Sequence, residues 1–238
     1  MAKYIHLCVP AFLLALTFIT SSCEREDPGP IQETERDYND TDFDRLEMGN
    51  AFRVTVEESS IYSVHVRGDR RNLDDLDVHK SGSTLIIRFE KDGNRKHDTY
   101  IDITMPKLRA ANFSGASIPI IKGFNEPEDA LDLFLSGATK AQLDATYKRV
   151  RAVLSGASEL IMTGEADALD TELSGASILS AFSFPVRTAT MNAAGASSGQ
   201  VHVSEELNAV ASGSSSILYR GDPEVNADVS GNSSVNRD

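Results

Sequence analysis

The sequence predicts an all-β protein, a solenoid of the parallel β-helix kind, on three observations. A short phrase, Ser-Gly-Ala-Ser or a near copy, recurs with its glycine at Gly115, Gly137, Gly156, Gly175, Gly195, Gly213 and Gly231. The steps between these glycines are 22, 19, 19, 20, 18 and 18 residues, and so regular a period marks an array in which each repeat is one coil sharing its core with its neighbours. On both sides of each phrase the residues alternate apolar and polar, as in Leu131, Leu133 and Leu135 before Gly137 and Ala141 and Leu143 after it. Period two is the signature of a strand with one face buried.

The phrase suits a corner between two such strands. Glycine takes positive φ without steric cost, and the alanine beside it is small enough to stack on its own copy. With coils about 4.8 Å apart, each serine could also hydrogen-bond to its equivalent above or below, as a hydroxyl ladder along one edge. Serine and glycine dominate turns for backbone reasons alone, so a turn without a binding role is the plainer reading.

Taken in order, the chain opens with Lys3, an apolar run from Leu7 to Ile19 and the small residues Thr20-Ser21-Ser22. Residues 1–22 therefore read as a secretory signal peptide, too short for a membrane span. Small residues just ahead of Cys23 resemble a bacterial lipoprotein cleavage site, which would make Cys23 the lipidated first residue and the membrane its partner, although Thr20 stands where such sites usually carry Leu. Ordinary signal-peptidase cleavage nearby is the alternative. Cys8 leaves with the leader, so the mature chain has no disulfide and must be held by burial.

Residues 23–42, beginning Glu24-Arg25-Glu26-Asp27-Pro28, hold few apolar side chains. They read as a disordered acidic tether with a reach of ~20–25 Å. Acidic residues straight after the cysteine resemble a surface-export signal of some Gram-negative lipoproteins; a linker facing the periplasm is the alternative. The remaining residues, 43–238, form one β domain.

From residue 43 to 110 the phrase is missing but alternation persists, in Phe52-Val54-Val56, Tyr62-Val64-Val66, Leu85-Ile87-Phe89 and Ile101-Ile103. Arg70 to Asp77 has room for one helical turn around Leu73 and Leu76. This region covers the apolar end of the first coil; whether it winds as coils or folds as hairpins stays open. Residues 111–238 carry the phrases. The last coil is short and polar, with Asn226, Asp228, Asn232 and Asn236, and its edge is the expected place for weak self-association.

The repeated Leu-Ser-Gly-Ala-Ser, preceded by Phe43-Asp44-Arg45-Leu46, Phe52-Arg53-Val54-Thr55-Val56 and Tyr62-Ser63-Val64-His65-Val66-Arg67-Gly68-Asp69, resembles the head GIN domain family, described as auto-transporter adhesin heads. The resemblance spans about residues 43–238. It implies a right-handed parallel β-helix on a secreted bacterial protein, and brings no catalytic residues with it.

A net charge of −13 repels phosphate backbones and disfavours nucleic acid as a ligand. Outside the leader the histidines, His65, His79, His97 and His202, are scattered and never at metal-ligand spacing. No nucleophile elbow, phosphate loop or dinucleotide signature is present, so no catalytic, metal or cofactor residues are assigned. Carboxylate groups at Asp74, Asp75 and Asp77, or Glu205 and Glu206, are the candidates if the protein acts on polysaccharide. Two Arg-Gly-Asp copies, 67–69 and 220–222, suggest integrin binding only if exposed at loop tips; both follow strands where a turn is wanted.

The expected function is that of a lipid-anchored envelope protein of a Gram-negative outer membrane, facing the medium. Its head would present flat walls to a glycan or protein ligand. A structural spacer without ligand and a carbohydrate-active enzyme are the alternatives.

Overall fold

The computed structural model describes residues 29–93 and 95–238; the leader, Cys23 and the first part of the expected tether lie outside the described residues. From the first phrase onward the chain winds as predicted. Ile118–Leu135, Lys140–Leu154, Glu159–Leu173, Ile178–Ala193 and Ser198–Ala211 (β9 to β13) are long strands that run from one corner phrase to the next. Each lies parallel on its predecessor, so that Lys140 pairs with Glu159 and Leu154 with Leu173 one coil later. The last coil is made of Ser216–Arg220, Glu224–Val229 and Ser234–Arg237 (β14, β15 and β16), parallel to β13 and β14.

The corners stand in single file. The N–H of the residue after each glycine donates to the carbonyl of the glycine one coil earlier, at 2.7 Å from Ala138 to Gly115 and from Ala157 to Gly137. Every corner glycine has φ between 70 and 76° or at 78°, and the preceding carbonyl lies close under its Cα. A Cβ at Gly137 would stand 2.4 Å from the Gly115 oxygen. Glycine is thus required twice over, for its dihedral and for the approach of backbone to backbone.

The file starts one coil before the first phrase, on Asn50. Its φ is 67°, its carbonyl accepts from Ala116 N–H at 2.9 Å, and its side-chain oxygen accepts from Phe89 N–H at 3.2 Å. Asparagine is among the few residues that tolerate this region of backbone space.

The serine ladder is corrected. The fourth residue of the phrase points inward and is buried at Ser117, Thr139, Ser158, Ser177, Ser197 and Ser215. Its hydroxyl mostly donates within its own turn, to the carbonyl three residues back, at 2.9 Å from Ser158 to Ser155 and 2.7 Å from Ser177 to Ser174. Hydroxyls meet between coils at Ser117 with Thr139 and Ser215 with Ser233, both at a long 3.4 Å. A turn carbonyl within easy reach competes better than a hydroxyl one coil away.

Residues 43–110 wind as coils and fold as hairpins at once. Arg45–Met48 and Arg53–Glu58 (β2 and β3) form a coil, and Thr84–Phe89 and Thr99–Met105 (β6 and β7) form another. With Ala110–Phe113 (β8), β2 lies parallel between β6 and β8, and β3 lies parallel between β7 and β9. The chain therefore lays down its second coil first, then leaves it to build the end coil. The excursion is Ser63–Asp69 (β4), the helical turn Arg70–Leu73 (α1) and Leu76–Ser81 (β5), with β4 antiparallel to β7 and β5 antiparallel to β6. Leu73 is buried under α1 as the terminal cover of the core.

The tether also needs correction: Glu33–Tyr38 is a strand (β1), antiparallel to β4 along its whole length. It buries little, and is held by polar bonds instead. Gln32 N–H donates to Asp69 Oδ2 at 3.0 Å, Arg36 Nη1 to the Leu73 carbonyl at 2.8 Å, and Asp37 meets His65 at 2.7 Å. A composition argument about apolar burial does not register a strand that adds backbone hydrogen bonds to an existing edge.

One hydrophobic core runs from Phe43 to Ile217 between the walls. Tyr147 is enclosed in it, its hydroxyl donating to the Leu108 carbonyl at 2.9 Å, and burial pushes the phenol well above its ordinary pKa.

Candidate binding surface

The first strand after each corner belongs to one continuous wall. Eleven strands lie side by side in the order β1, β4, β7, β3, β9, β10, β11, β12, β13, β14, β16. Because alternate side chains face out and the registers are known, the outer surface reads as rows. One row runs Arg67, Tyr100, Arg53, Ile118 and on through Lys140, Glu159, Ile178, Ser198 and Ser216. The next contains His65, Asp102, Thr55, Ile120, Gln142, Ile161, Ser180, Gln200 and Leu218.

Near the middle of this wall isoleucines stand among Lys140, Gln142 and Glu159. Ile120 is 37% exposed, Ile161 40% and Ile178 45%, with Ile118 half-buried beside them. Large aliphatic side chains left this exposed make this stretch the most apolar part of an otherwise polar outer surface. The period-two alternation that turns Ile121, Leu160 and Leu179 inward turns these isoleucines outward.

Charged side chains tie coil to coil. Arg149 with Asp170, Arg151 with Glu172, Arg187 with Glu205 and Lys122 with Glu57 bridge neighbouring coils. Arginines also lie on aromatic rings, Arg67 on Tyr100 with 4.2 Å to the ring centre, Arg220 on Phe182 at 3.9 Å and Arg151 on Phe134 at 5.5 Å. A ring face under a guanidinium is closed to a sugar.

Concavities are shallow and open. A hollow of about 460 Å³ lies among Ile31, Glu33, Glu35, Arg67, Asp98 and Tyr100. Another of about 520 Å³ lies by the far bend among Glu165, Asp167, Pro185, Arg187 and His202.

The carboxylates considered for chemistry are engaged elsewhere. Asp74 pairs with Arg36 and Arg70, Asp75 with Arg95, and Asp77 with His79 and Arg88. Glu205 accepts from Arg187 Nε and Nη2 at 2.8 and 2.9 Å, and Glu206 accepts from Asn208. Arg187 holds the Glu205 carboxyl below its ordinary pKa, as a committed ion pair does. His97 faces the Gly29 carbonyl at 3.2 Å. Among the described residues no group of three or more His, Cys, Asp or Glu is placed to hold a metal.

The two Arg-Gly-Asp copies differ. Asp69 is buried, caps α1 by accepting from Arg71 N–H at 2.9 Å, and pairs with the Arg71 guanidinium at 2.6 Å. Arg71 foremost, helped by the Gln32 and Arg71 N–H groups and opposed by burial, holds its carboxyl far below the usual carboxylate range. This copy is a structural cap, not a recognition tip. In the second copy Gly221 makes a bend at φ 99°, Arg220 is paired with Asp238 and Asp222 is open to solvent beside Arg237.

Comparison with known proteins agrees with the fold. Residues 42–223 match the family described as "Putative auto-transporter adhesin, head GIN domain". Among solved structures, a putative adhesin from Bacteroides fragilis NCTC 9343 aligns with TM-score 0.79 at 18% identity, over 87% of this chain and 97% of that one. A putative adhesin from Parabacteroides distasonis ATCC 8503 aligns with TM-score 0.68 at 18% identity, over 88% and 98%. A putative lipid binding protein from the same organism aligns with TM-score 0.66 at 20% identity, over 86% and 96%. Among curated proteins nothing matches.

Proposed function

The chain belongs to the head GIN domain family, and from that premise we propose that it is an adhesion head, carried by a lipidated Cys23 on the outer membrane of a Gram-negative bacterium and facing the medium. The observation that carries this reading is the eleven-strand wall with its exposed isoleucines at the centre. Such a surface spreads contact over many side chains, which suits a partner that is itself extended and flat. A protein partner fits better than a glycan, because Tyr100, Phe134 and Phe182 lie under arginines and apolar aliphatic side chains take their place.

In this reading the residues between Cys23 and β1 would serve as a short tether that holds the head just clear of the lipid. Protease added to intact cells should release the head into the medium. Retention of the whole head until cells are lysed would contradict surface exposure. Ile161→Asp and Ile178→Asp in the purified head should abolish its attachment to cells; attachment unchanged by both would remove the wall from the reading.

A further inference from the structure

We infer that the wall pairs face to face with the same wall of a second copy, the two solenoids lying antiparallel. The inference rests on the wall being the adhesive face, and names its partner. At the wall's centre the row runs Ile118, Lys140, Glu159, Ile178 across β9 to β12: Lys140 is register partner of Glu159, and Glu159 of Ile178. Lys140 N–H donates to the Ser117 carbonyl, which sets it beside Ile118.

That order is self-complementary under one two-fold rotation. Let the axis lie between the facing walls, along the strands, midway between β10 and β11. Lys140 then faces the second copy's Glu159, and Ile118 faces the second copy's Ile178, each contact made twice as an isologous interface requires. Within one chain the Lys140–Glu159 pair is loose, at 3.9 Å with Lys140 67% exposed; in the pair of copies each cation sits between two carboxylates.

In the next row, Ile120, Gln142, Ile161 and Ser180, the same rotation sets Ile120 against the second copy's Ser180 and Ile161 against its Gln142, so no charges meet there. Beyond β11 the two outward rows continue in uncharged residues such as Ser198, Gln200 and Leu218, so the arginines and aspartates of the other half meet no like charge. The axis also falls near the middle of the wall, with β4, β7, β3, β9 and β10 on one side and β11, β12, β13, β14 and β16 on the other. Those strands span ~48 Å at ~4.8 Å each, and five consecutive residues of strand, inward and outward together, add ~17 Å of width. The product is ~800 Å² per copy, the usual size of a specific interface. An antiparallel pair carries its two N-terminal ends at opposite ends, the arrangement wanted by heads reaching from two facing surfaces.

The test is a charge exchange. The described core, including the partly buried residues packed on it, lies between Tyr38 and Val235, so residues 24–238 keep every one of those contacts and can be purified for sedimentation over a concentration series. A monomer–dimer equilibrium is expected. Lys140→Glu and Glu159→Lys should each weaken it about tenfold or more, and the double exchange should restore it to within about threefold. A head that stays monomeric throughout, a dimer indifferent to the single reversals, as one formed through the last coil's edge would be, or a double variant no better than the singles would each overturn the pairing. Liposomes bearing the lipidated full chain separate this from the adhesion reading. Dimers with the exchange signature but no clumping of liposomes would keep the pairing and remove adhesion; monomeric heads that still attach to cells would do the reverse.

Discussion

Gly137→Ala examines the corner directly. The new Cβ would stand 2.4 Å from the Gly115 carbonyl oxygen and 3.1 Å from its nitrogen, at a backbone φ of 73°. The dihedral alone costs an L residue ~1–2 kcal/mol. The contact adds ~1–3 kcal/mol, because the atoms met are backbone held in a hydrogen-bonded file and cannot swing aside. Gly82 at the tip of the β5–β6 hairpin provides the control, since its φ is 61° and a Cβ there meets nothing within 4 Å. Guanidinium unfolding followed by circular dichroism should show Gly137→Ala losing about 3 kcal/mol, against about 1 kcal/mol for Gly82→Ala. Amide exchange at Ala138 and Ala157 should rise in the first variant and not in the second. Equal losses would mean that stacking of carbonyl on glycine does not constrain the corner, and the reasoning about the single file would fail.

Two further outcomes follow from buried polar groups. Thr171 is 2% exposed and its hydroxyl has no hydrogen-bond partner among the described residues, so Thr171→Val, which keeps the shape, should stabilise the protein by about 1 kcal/mol in the same unfolding measurement. Asp69 is ionised far more readily in the folded chain than in the unfolded one; its contribution is therefore complete above the ordinary carboxylate pKa, about 4, and is lost as pH falls below that toward the folded value. Asp69→Asn should cost about 2 kcal/mol at pH 7, and its deficit should shrink as unfolding is repeated from pH 4 to pH 3. A deficit constant over that range would show that the Arg71 pair does not govern the group.

How much of this was legible in the sequence depends on whether the signal repeats. A corner glycine seven times over, with alternating residues on both sides, specifies strand, turn and coil because each coil meets a neighbour nearly identical to itself. The same regularity exposes the wall's rows once the register is known. Asn50 was not legible, since a lone asparagine without the phrase gives no hint that it starts the glycine file. The inward serine hydroxyls depart from a ladder because the carbonyl of their own turn lies nearer than the hydroxyl one coil away, a competition that coil spacing alone does not reveal.

By itself the sequence determined the all-β class, the period of the coil, the glycine corners and the helical turn near Leu73, all of them matters of local chain geometry repeated or capped in place. Only the tertiary structure decided that β2 lies between two strands that follow it, that a polar segment becomes β1, that Asp69 is buried in its Arg-Gly-Asp, and that eleven outward strands make one wall. Each of those depends on which unlike surfaces meet across long stretches of chain, where pairing is chosen by shape, hydrogen bonds and charge at the meeting point and no periodic pattern announces it.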